Sequence, residues 1–130
     1  MYTEEENINE LTGLIIELCI KIHRTLGPGL LESVYEEALC HELAKENIPF
    51  VRQAPINVVY DGIKLNLAFR ADIIVNNKLI IELKSTEEIV PVHKKIVLTY
   101  LRLSNLKIAL LINFYVNLLK EGIHRIVNNL

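Results

Sequence analysis

Two carboxylates and a lysine interrupt the most apolar part of this chain, and they limit its possible folds more than any other feature. Segment Arg70–Val75 contains Asp72, and segment Leu79–Lys84 contains Glu82 and Lys84. An unpaired charge in a protein core costs a large amount of free energy. Three charged side chains within two such segments are therefore better explained by a functional site than by chance.

The alternation of side chains predicts how the two segments pair. Successive residues of a strand point to opposite faces of the sheet. The apolar faces consist of Ala71, Ile73 and Val75 in the first segment and of Leu79, Ile81 and Leu83 in the second. Matching these faces pairs Val75 with Leu79 and leaves the three-residue loop Asn76-Asn77-Lys78, a common hairpin length. A shift by one residue would mix apolar and charged faces.

In this register Asp72 lies opposite Glu82, and Arg70 lies opposite Lys84. The two carboxylates would repel, but their Cβ atoms would be roughly 5 Å apart, a distance that a shared cation can bridge. Oxygen ligands favour Mg²⁺ or Mn²⁺ over zinc. Lys84 could orient or deprotonate a water, or stabilise charge on a phosphoryl group. The alternative is a solvated strand face with an ordinary Glu82–Arg70 ion pair.

The rest of the chain changes from helical to strand-like periodicity. Apolar spacings of three and four predict helices at about Ile8–Leu26, Leu31–Lys45 and Val92–Leu103. Strands are predicted at Ile56–Tyr60, Ile63–Val75, Leu79–Lys84 and Lys107–Phe114, with a short last strand at Ile123–Val127. The order α-α-β-β-β-α-β(-β) predicts one α/β (mixed α+β) domain over residues 1–130. Its sheet should be mixed, with one parallel β-α-β crossover.

Composition restricts the class of protein and its partners. Hydrophobic residues make up 51% and charged residues 23%, which is typical of a globular domain. A net charge of −2 means that a nucleic-acid partner would have to meet a local basic patch. The acidic N-terminus, residues 1–6, is unlike a signal peptide, and the apolar run at residues 108–114 is too short to span a membrane. We expect a cytoplasmic protein, with Cys19 and Cys40 buried rather than bridged.

The carboxylates and the lysine have the arrangement of the PD-(D/E)XK nuclease superfamily, which the chain resembles. Its motif is a carboxylate on one strand and Glu or Asp, any residue, then Lys on the next. Within that superfamily the chain is similar to the small GxxExxY proteins, because segment 29–35 (Gly-Leu-Leu-Glu-Ser-Val-Tyr) fits their signature. Further matches are Phe69-Arg70-Ala71-Asp72, Tyr100-Leu101, Leu111-Ile112-Asn113-Phe114 and Gly122-Ile123-His124-Arg125-Ile126-Val127.

The resemblance implies a restriction-endonuclease-like core, a mixed sheet flanked by helices, and a Mg²⁺- or Mn²⁺-dependent nuclease acting on DNA, with RNA as the other candidate substrate. Asp72 and Glu82 would bind the metal, Lys84 would activate the water, and Glu32 would be an additional acid and metal ligand. Glu32 has an ordinary explanation as well, because a carboxylate near a helix N-terminus is stabilised by the helix dipole.

One position departs from the family pattern. Related nucleases often carry Gln-x-x-x-Tyr in the helix after the Glu-x-Lys strand, and here Tyr100 is present while Ile96 takes the glutamine position. The basic residues expected to contact nucleic acid are Arg70, His93, Lys94 and Lys95, and the last three are the candidates to replace that glutamine. The departure keeps a second hypothesis open, a weak or inactive nuclease fold that serves as a binding or assembly module. A homodimer through the apolar stripe of Ile8–Ile22 is compatible with either.

Overall fold

The computed structural model describes residues 3–130, so the first two residues of the acidic N-terminal segment lie outside it. Its elements are α1 (Glu4–Leu26), α2 (Glu32–Lys45), β1 (Phe50–Tyr60), β2 (Ile63–Val75), β3 (Leu79–Lys84), α3 (Pro91–Ser104), β4 (Ile108–Asn113), a 3₁₀ turn (Leu119–Gly122) and β5 (Ile123–Val127). The sheet order is β1-β2-β3-β4-β5, and only β3 and β4 pair in parallel. This confirms the predicted element order, the mixed sheet and the parallel crossover.

Two boundaries lie earlier than predicted. Helix α1 begins at Glu4 because Thr3 and Glu6 form a capping box: the Thr3 hydroxyl accepts from the Glu6 N–H at 3.1 Å, and the Thr3 N–H donates to Glu6 Oε2 at 2.7 Å. Strand β1 begins at Phe50, well before the predicted Ile56. Pro55 lies within β1, which is an edge strand, where proline is tolerated.

The sheet is covered on both faces. On one face Ile15 of α1 and Leu39 of α2 share a core cluster with Ile81 of β3. On the other face Leu101 of α3 belongs to a second cluster. Every residue of β4 is buried, as are all residues of β3 except Lys84. The apolar stripe of α1 lies within this core, so it does not provide the exposed surface that the expected homodimer contact would need.

The hairpin between β2 and β3 has the predicted register. Val75 pairs with Leu79, and Asn76 and Asn77 adopt left-handed backbone conformations, with φ of 53° and 52°. Asparagine tolerates this conformation better than most residues. The alternation of apolar faces therefore predicted this loop correctly.

One residue lies on the other face from the one predicted. Ile73 and Val75 pack under α1 and α2, but Ala71 packs with the cluster under α3. Opposite this part of β2, Gln53 of β1 has a φ of 52°, a left-handed conformation that is uncommon for a residue other than glycine. The change of face thus coincides with a local distortion of the two strands at Asp72.

Strands β1 and β2 also continue beyond the helices as a hairpin arm, which we define as residues 57–70. All of residues 61–70 are exposed, although the strands remain paired out to Tyr60 and Ile63. The pairing shifts by two residues between Asn57 and Val59, which leaves each side chain on its original face.

Cys19 and Cys40 are buried free thiols, as expected, and burial raises the pKa of Cys19 to about 12. Within residues 3–130 no helix combines the length and the apolar character needed to cross a membrane.

Candidate active site

Asp72 and Glu82 lie side by side where β2 and β3 separate. The paired register of the two strands ends at Ile73 and Ile81, one residue before the two acids. The Asp72 N–H donates to Glu82 Oε1 at 3.1 Å, and the Leu83 N–H donates to Asp72 Oδ2 at 2.8 Å. Each carboxylate therefore satisfies a backbone donor that the separating strands leave without a ladder partner. These two bonds fix both acids at the point where β2 and β3 separate, which we call the fork.

Burial distinguishes this pair from a solvated strand face. Glu82 is only 8% exposed, and Asp72 is half-buried. The second oxygen of each acid, Asp72 Oδ1 and Glu82 Oε2, accepts no hydrogen bond from an N–H or hydroxyl group among the described residues, and neither is sealed away from solvent. No Glu82–Arg70 ion pair forms within residues 3–130. The pair thus offers two open oxygens in a largely buried setting.

The electrostatics of the pair favour a bound positive charge. Burial, followed by the charge of Asp72, raises the pKa of Glu82 to about 8. Burial also raises the pKa of Asp72, and the carboxyl groups are close enough to share a proton. In the absence of a cation the pair therefore retains a proton near neutral pH, because two charges this close cannot both ionise easily.

Lys84 lies at the end of β3, next to the pair. Its carbonyl accepts from the Phe114 N–H at 2.8 Å, and its neighbour on β4 is Asn113. Burial raises the pKa of Asp72 and Glu82, and the positive charge of Lys84 partly offsets that rise. Its ammonium group makes no ion pair within the described part of the chain. The amine is thus close to the carboxylates and remains free to meet a water molecule or a substrate.

Comparison with known families agrees with this geometry. The model of the PD-(D/E)XK nuclease superfamily matches residues 9–126, which is nearly the whole chain. The chain belongs to the PD-(D/E)XK nuclease superfamily. Its mixed sheet with helices on both faces is consistent with the restriction-endonuclease-like fold of that superfamily. Searches of curated proteins and of solved structures return no significant match.

The donor set suits the divalent metals that PD-(D/E)XK nucleases typically use. Two carboxylates with open oxygens and mutual repulsion are a ligand set for a hard cation. Among the residues that the structure describes, no group of three His, Cys, Asp or Glu side chains is placed to hold a metal together. Asp72 and Glu82 are thus the side chains that could hold such an ion, and the remaining positions would be filled by water, backbone or substrate oxygens.

Glu36 is an acid of this PD-(D/E)XK protein that the sequence analysis missed. It lies on α2, is 7% exposed, and accepts from Arg52 Nε at 2.7 Å and from Gln53 Nε2 at 2.6 Å. Its charge raises the pKa of Asp72, so it lies within electrostatic reach of the pair. The available signal was its position three and four residues before Leu39 and Cys40, which places it on the buried side of the helix.

Glu32 lies in a different environment from Glu36. It is the first residue of α2, it is exposed, and it has no hydrogen-bonding or ionic partner within residues 3–130. The structure does not bring it into contact with Asp72 or Glu82. Its position is the one in which the helix dipole favours a carboxylate.

Tyr35, the last residue of the Gly29–Tyr35 signature segment, organises the loop before α2. Its hydroxyl donates to the Gly27 carbonyl at 2.6 Å and accepts from the Leu30 N–H at 3.0 Å. Its ring stacks on Phe114, with centroids 4.2 Å apart. Because the ring is fully buried, these contacts account for the tyrosine without a role in chemistry.

Asn113 is a second residue that the sequence analysis missed as a part of the site. It is 2% exposed, and its Oδ1 accepts from the N–H groups of Thr86 (3.1 Å) and Tyr115 (3.2 Å). Its Nδ2 donates to the Thr86 carbonyl at 2.8 Å. Asn113 therefore holds the loop that follows Lys84. An amide that ends a fully apolar strand was the available signal.

The α3 side of the site carries Tyr100. Burial raises the pKa of the Tyr100 hydroxyl, and the charges of Glu82 and Asp72 raise it further. The centroid of its ring lies 5.4 Å from that of Phe69. Ile96, in the position where the family often has glutamine, is 43% exposed and lies one turn before Tyr100. An apolar side chain thus lies where a hydrogen-bonding amide was expected.

None of the predicted substrate-contacting residues bonds to the pair within residues 3–130. Arg70 is exposed and donates to the Gln53 carbonyl at 3.0 Å, so the expected opposition of Arg70 and Lys84 does not form. The reason is that β2 pairs with β1 at this point and has already separated from β3. His93 accepts from the Val90 N–H at 3.3 Å, and Lys94 and Lys95 are exposed on the first turns of α3.

Proposed function

We propose that the protein is a divalent-cation-dependent nuclease that hydrolyses phosphodiester bonds in DNA, with RNA as the other candidate substrate. One observation carries the proposal: a largely buried Asp72–Glu82 pair with one open oxygen on each acid, beside the amine of Lys84, which makes no ion pair within residues 3–130. We further propose that it is a GxxExxY protein, that residues 1–130 form one domain, and that it acts in the cytoplasm.

Asp72 and Glu82 would hold Mg²⁺ or Mn²⁺. Bound there, the ion would supply a Lewis acid for the phosphoryl oxygen and lower the pKa of a coordinated water. The pair itself would orient the scissile phosphate through the ion and give up its retained proton when the ion binds. Lys84 would hold the attacking water or stabilise charge on the phosphoryl group, because its amine has no ionic partner of its own.

The third acid of the site is proposed to come from α2. The family resemblance points to Glu32, whereas the geometry favours Glu36, because the charge of Glu36 acts on Asp72 and its oxygens are aligned by Arg52 and Gln53. Four basic residues would contact the phosphates of the substrate. They are the exposed Arg70, Lys94 and Lys95 and the partly buried His93.

The test of the proposed function is cleavage of supercoiled plasmid and of single-stranded DNA and RNA, with Mg²⁺, with Mn²⁺ and with EDTA. We expect cation-dependent cleavage that Lys84→Ala abolishes. Lys78→Ala is the matched control, since Lys78 is an exposed lysine in the loop before β3. Cleavage that persists in both Lys84→Ala and Asp72→Ala would show that the activity does not come from this site.

A paired substitution decides which acid of α2 contributes. Glu36→Gln and Glu32→Gln make the same chemical change one helical turn apart. We expect Glu36→Gln to weaken Mn²⁺ binding, measured by calorimetry, and to slow cleavage by roughly 100-fold. Glu32→Gln should change both by less than about threefold. The reverse result would assign the third acid to Glu32.

A second candidate function is a nuclease fold that binds nucleic acid without cleaving it. The observation that favours it is the exposed Ile96 one turn from Tyr100, where the family often has glutamine. Calorimetry separates the two functions. Absence of Mg²⁺ and Mn²⁺ binding, together with nucleic-acid binding that EDTA does not change, would identify a binding module. Restoration of faster cleavage by Ile96→Gln would instead identify a weakened enzyme.

A further inference from the structure

The hairpin arm (residues 57–70) exposes an amphipathic strand. Along β2, Ile63, Leu65, Leu67 and Phe69 alternate with more polar residues, as they would in a strand with one buried face. Tyr60 pairs with Ile63 and extends the same face to the tip. Yet Leu67 is 77% exposed and Tyr60 is 72% exposed, while Phe69, nearer the sheet, packs against Tyr100 of α3. Most of this apolar face is therefore uncovered in the isolated chain.

A two-stranded arm of this kind gains little stability by itself. An isolated hairpin is at best marginally stable in water, and a third strand or a packed face is usually needed. Soluble monomers rarely expose contiguous apolar patches of more than a few hundred Å². Both arguments indicate that another surface covers the arm.

The charges of the arm favour a second copy over nucleic acid as the occupant. By alternation Lys64 and Arg70 lie on the face of the arm opposite the apolar one, and Asp61 lies in the turn at its tip. The apolar face itself therefore carries no charged residue. A nucleic acid would need a cationic surface, which this face does not offer. Two identical arms related by a two-fold axis would match apolar face to apolar face.

The available area is sufficient for such a contact. At their exposures, Tyr60, Ile63, Leu65, Leu67 and Phe69 offer on the order of 550 Å² per copy, or roughly 1,100 Å² for two copies. If all of it is buried, this area exceeds the roughly 1,000 Å² expected of a biological interface and falls below the roughly 1,200–2,000 Å² of stable ones, as in weaker complexes. We propose that the apolar face of the hairpin arm is the contact between two copies of this chain in a homodimer of moderate affinity. The proposal concerns assembly and does not depend on nuclease activity.

The test is the mass of the protein in solution, measured by sedimentation equilibrium over a wide range of concentrations. We expect the wild-type protein to pass from monomer to dimer. Leu67→Glu should raise the dissociation constant at least roughly 100-fold, because one buried leucine is lost from each copy. Leu31→Glu is the matched control: Leu31 is 75% exposed, lies outside the arm and receives the same charge. It should leave the dissociation constant unchanged.

Ile63→Glu repeats the test at a second position, and circular dichroism checks that each variant remains folded. A wild-type protein that is monomeric at all concentrations would overturn the proposal. This holds even if an unrelated protein covers the arm. So would a dimer that both arm variants preserve, or one that Leu31→Glu disrupts as strongly as Leu67→Glu.

Discussion

The two ends of the β1–β2 hairpin differ in which kind of side chain is buried there. At the end that lies in the sheet, Asp72 is half-buried, and beside it Glu36 of α2 and Glu82 of β3 are less than a tenth exposed. At the other end, Tyr60 and Leu67 are more than two-thirds exposed. Folding normally buries apolar side chains and leaves charges in water. The surroundings of one end and the exposed face of the other therefore depart from this rule in opposite directions, within about 40 Å of extended chain.

Each departure has an energetic cost that a binding partner can remove. Buried carboxylates repel, and a cation would relieve the repulsion. Exposed apolar side chains order water, and a second apolar surface would release it. The two ends therefore call for different partners, a metal ion with a phosphodiester at the fork and a protein surface at the arm.

Removing one charge at the fork should abolish activity without weakening the fold. Asp72→Asn keeps the shape of the side chain and its acceptor for the Leu83 N–H but removes the repulsion with Glu82. We expect the cleavage rate to fall at least roughly 1,000-fold, while the melting temperature of the metal-free protein stays the same or rises.

Cleavage rates and thermal melts in EDTA measure the two quantities. Glu17→Gln, on the exposed side of α1, is the control and should leave both unchanged. A comparable loss of activity accompanied by unfolding would mean that Asp72 mainly supports the structure. The charge of Asp72 would then not be one that the protein keeps for its function at a cost in stability.

The same leucine-to-alanine change should lower the free energy of unfolding by very different amounts in the two regions. Leu83→Ala, in β3 and 1% exposed, should lower the free energy of unfolding by about 3 kcal/mol because it creates a cavity. Leu67→Ala, in the arm, should lower it by less than about 0.5 kcal/mol at protein concentrations where the chain is monomeric. Urea denaturation followed by circular dichroism measures both changes.

The concentration dependence sharpens this result. If the arm forms the dimer contact, the effect of Leu67→Ala should grow with protein concentration, because association stabilises only the folded chain. A large effect at the lowest concentration would instead show that the arm packs against its own core.

The pH dependence of stability should reveal the buried pair. The raised pKa of Glu82 means that the folded state retains a proton which the unfolded chain releases at lower pH. The resulting stabilisation is complete below the ordinary glutamate pKa and is lost as the pH rises toward about 8. The metal-free protein should therefore lose roughly 1–3 kcal/mol between pH 5 and pH 8. Glu82→Gln should largely flatten this profile.

Urea denaturation in EDTA across that pH range provides the measurement. Saturating Mg²⁺ or Mn²⁺ should remove most of the decline in the wild-type protein, because the ion binds the ionised pair. A stability that is independent of pH, or that increases with pH in the same window, would contradict the raised pKa.

The sequence was sufficient for the fork because two independent constraints coincide there. Alternation along both strands allowed only one register without mixing faces, and the loop of Asn76 and Asn77 fitted that register. The continuous apolar run of β4 likewise predicted a strand buried on both faces. Element order and topology followed from these features together with the helical periodicity.

The remaining parts of the site depend on contacts that no local pattern contains. Gln53 adopts a positive φ that its own residue type does not favour, so the change of face at Ala71 could not be read from alternation. Glu36 looks like an ordinary helix charge until Arg52 and Gln53 lie beside it. Those partners belong to the part of β1 that was not predicted. The exposure of the arm depends on where the helices end relative to the strands, which is a property of the assembled layers.

The smallest predicted effect separates the scaffold of the fork from its chemistry. Tyr35 precedes Glu36 in α2 and belongs to the signature segment, but its hydroxyl contacts only the backbone of Gly27 and Leu30. Tyr35→Phe should lower the free energy of unfolding by about 1 kcal/mol, since it leaves those two groups without this partner while the ring still stacks on Phe114. Cleavage should change by less than about twofold. If cleavage fell strongly while the free energy of unfolding stayed constant, Tyr35 would be part of the reacting site together with its neighbour Glu36.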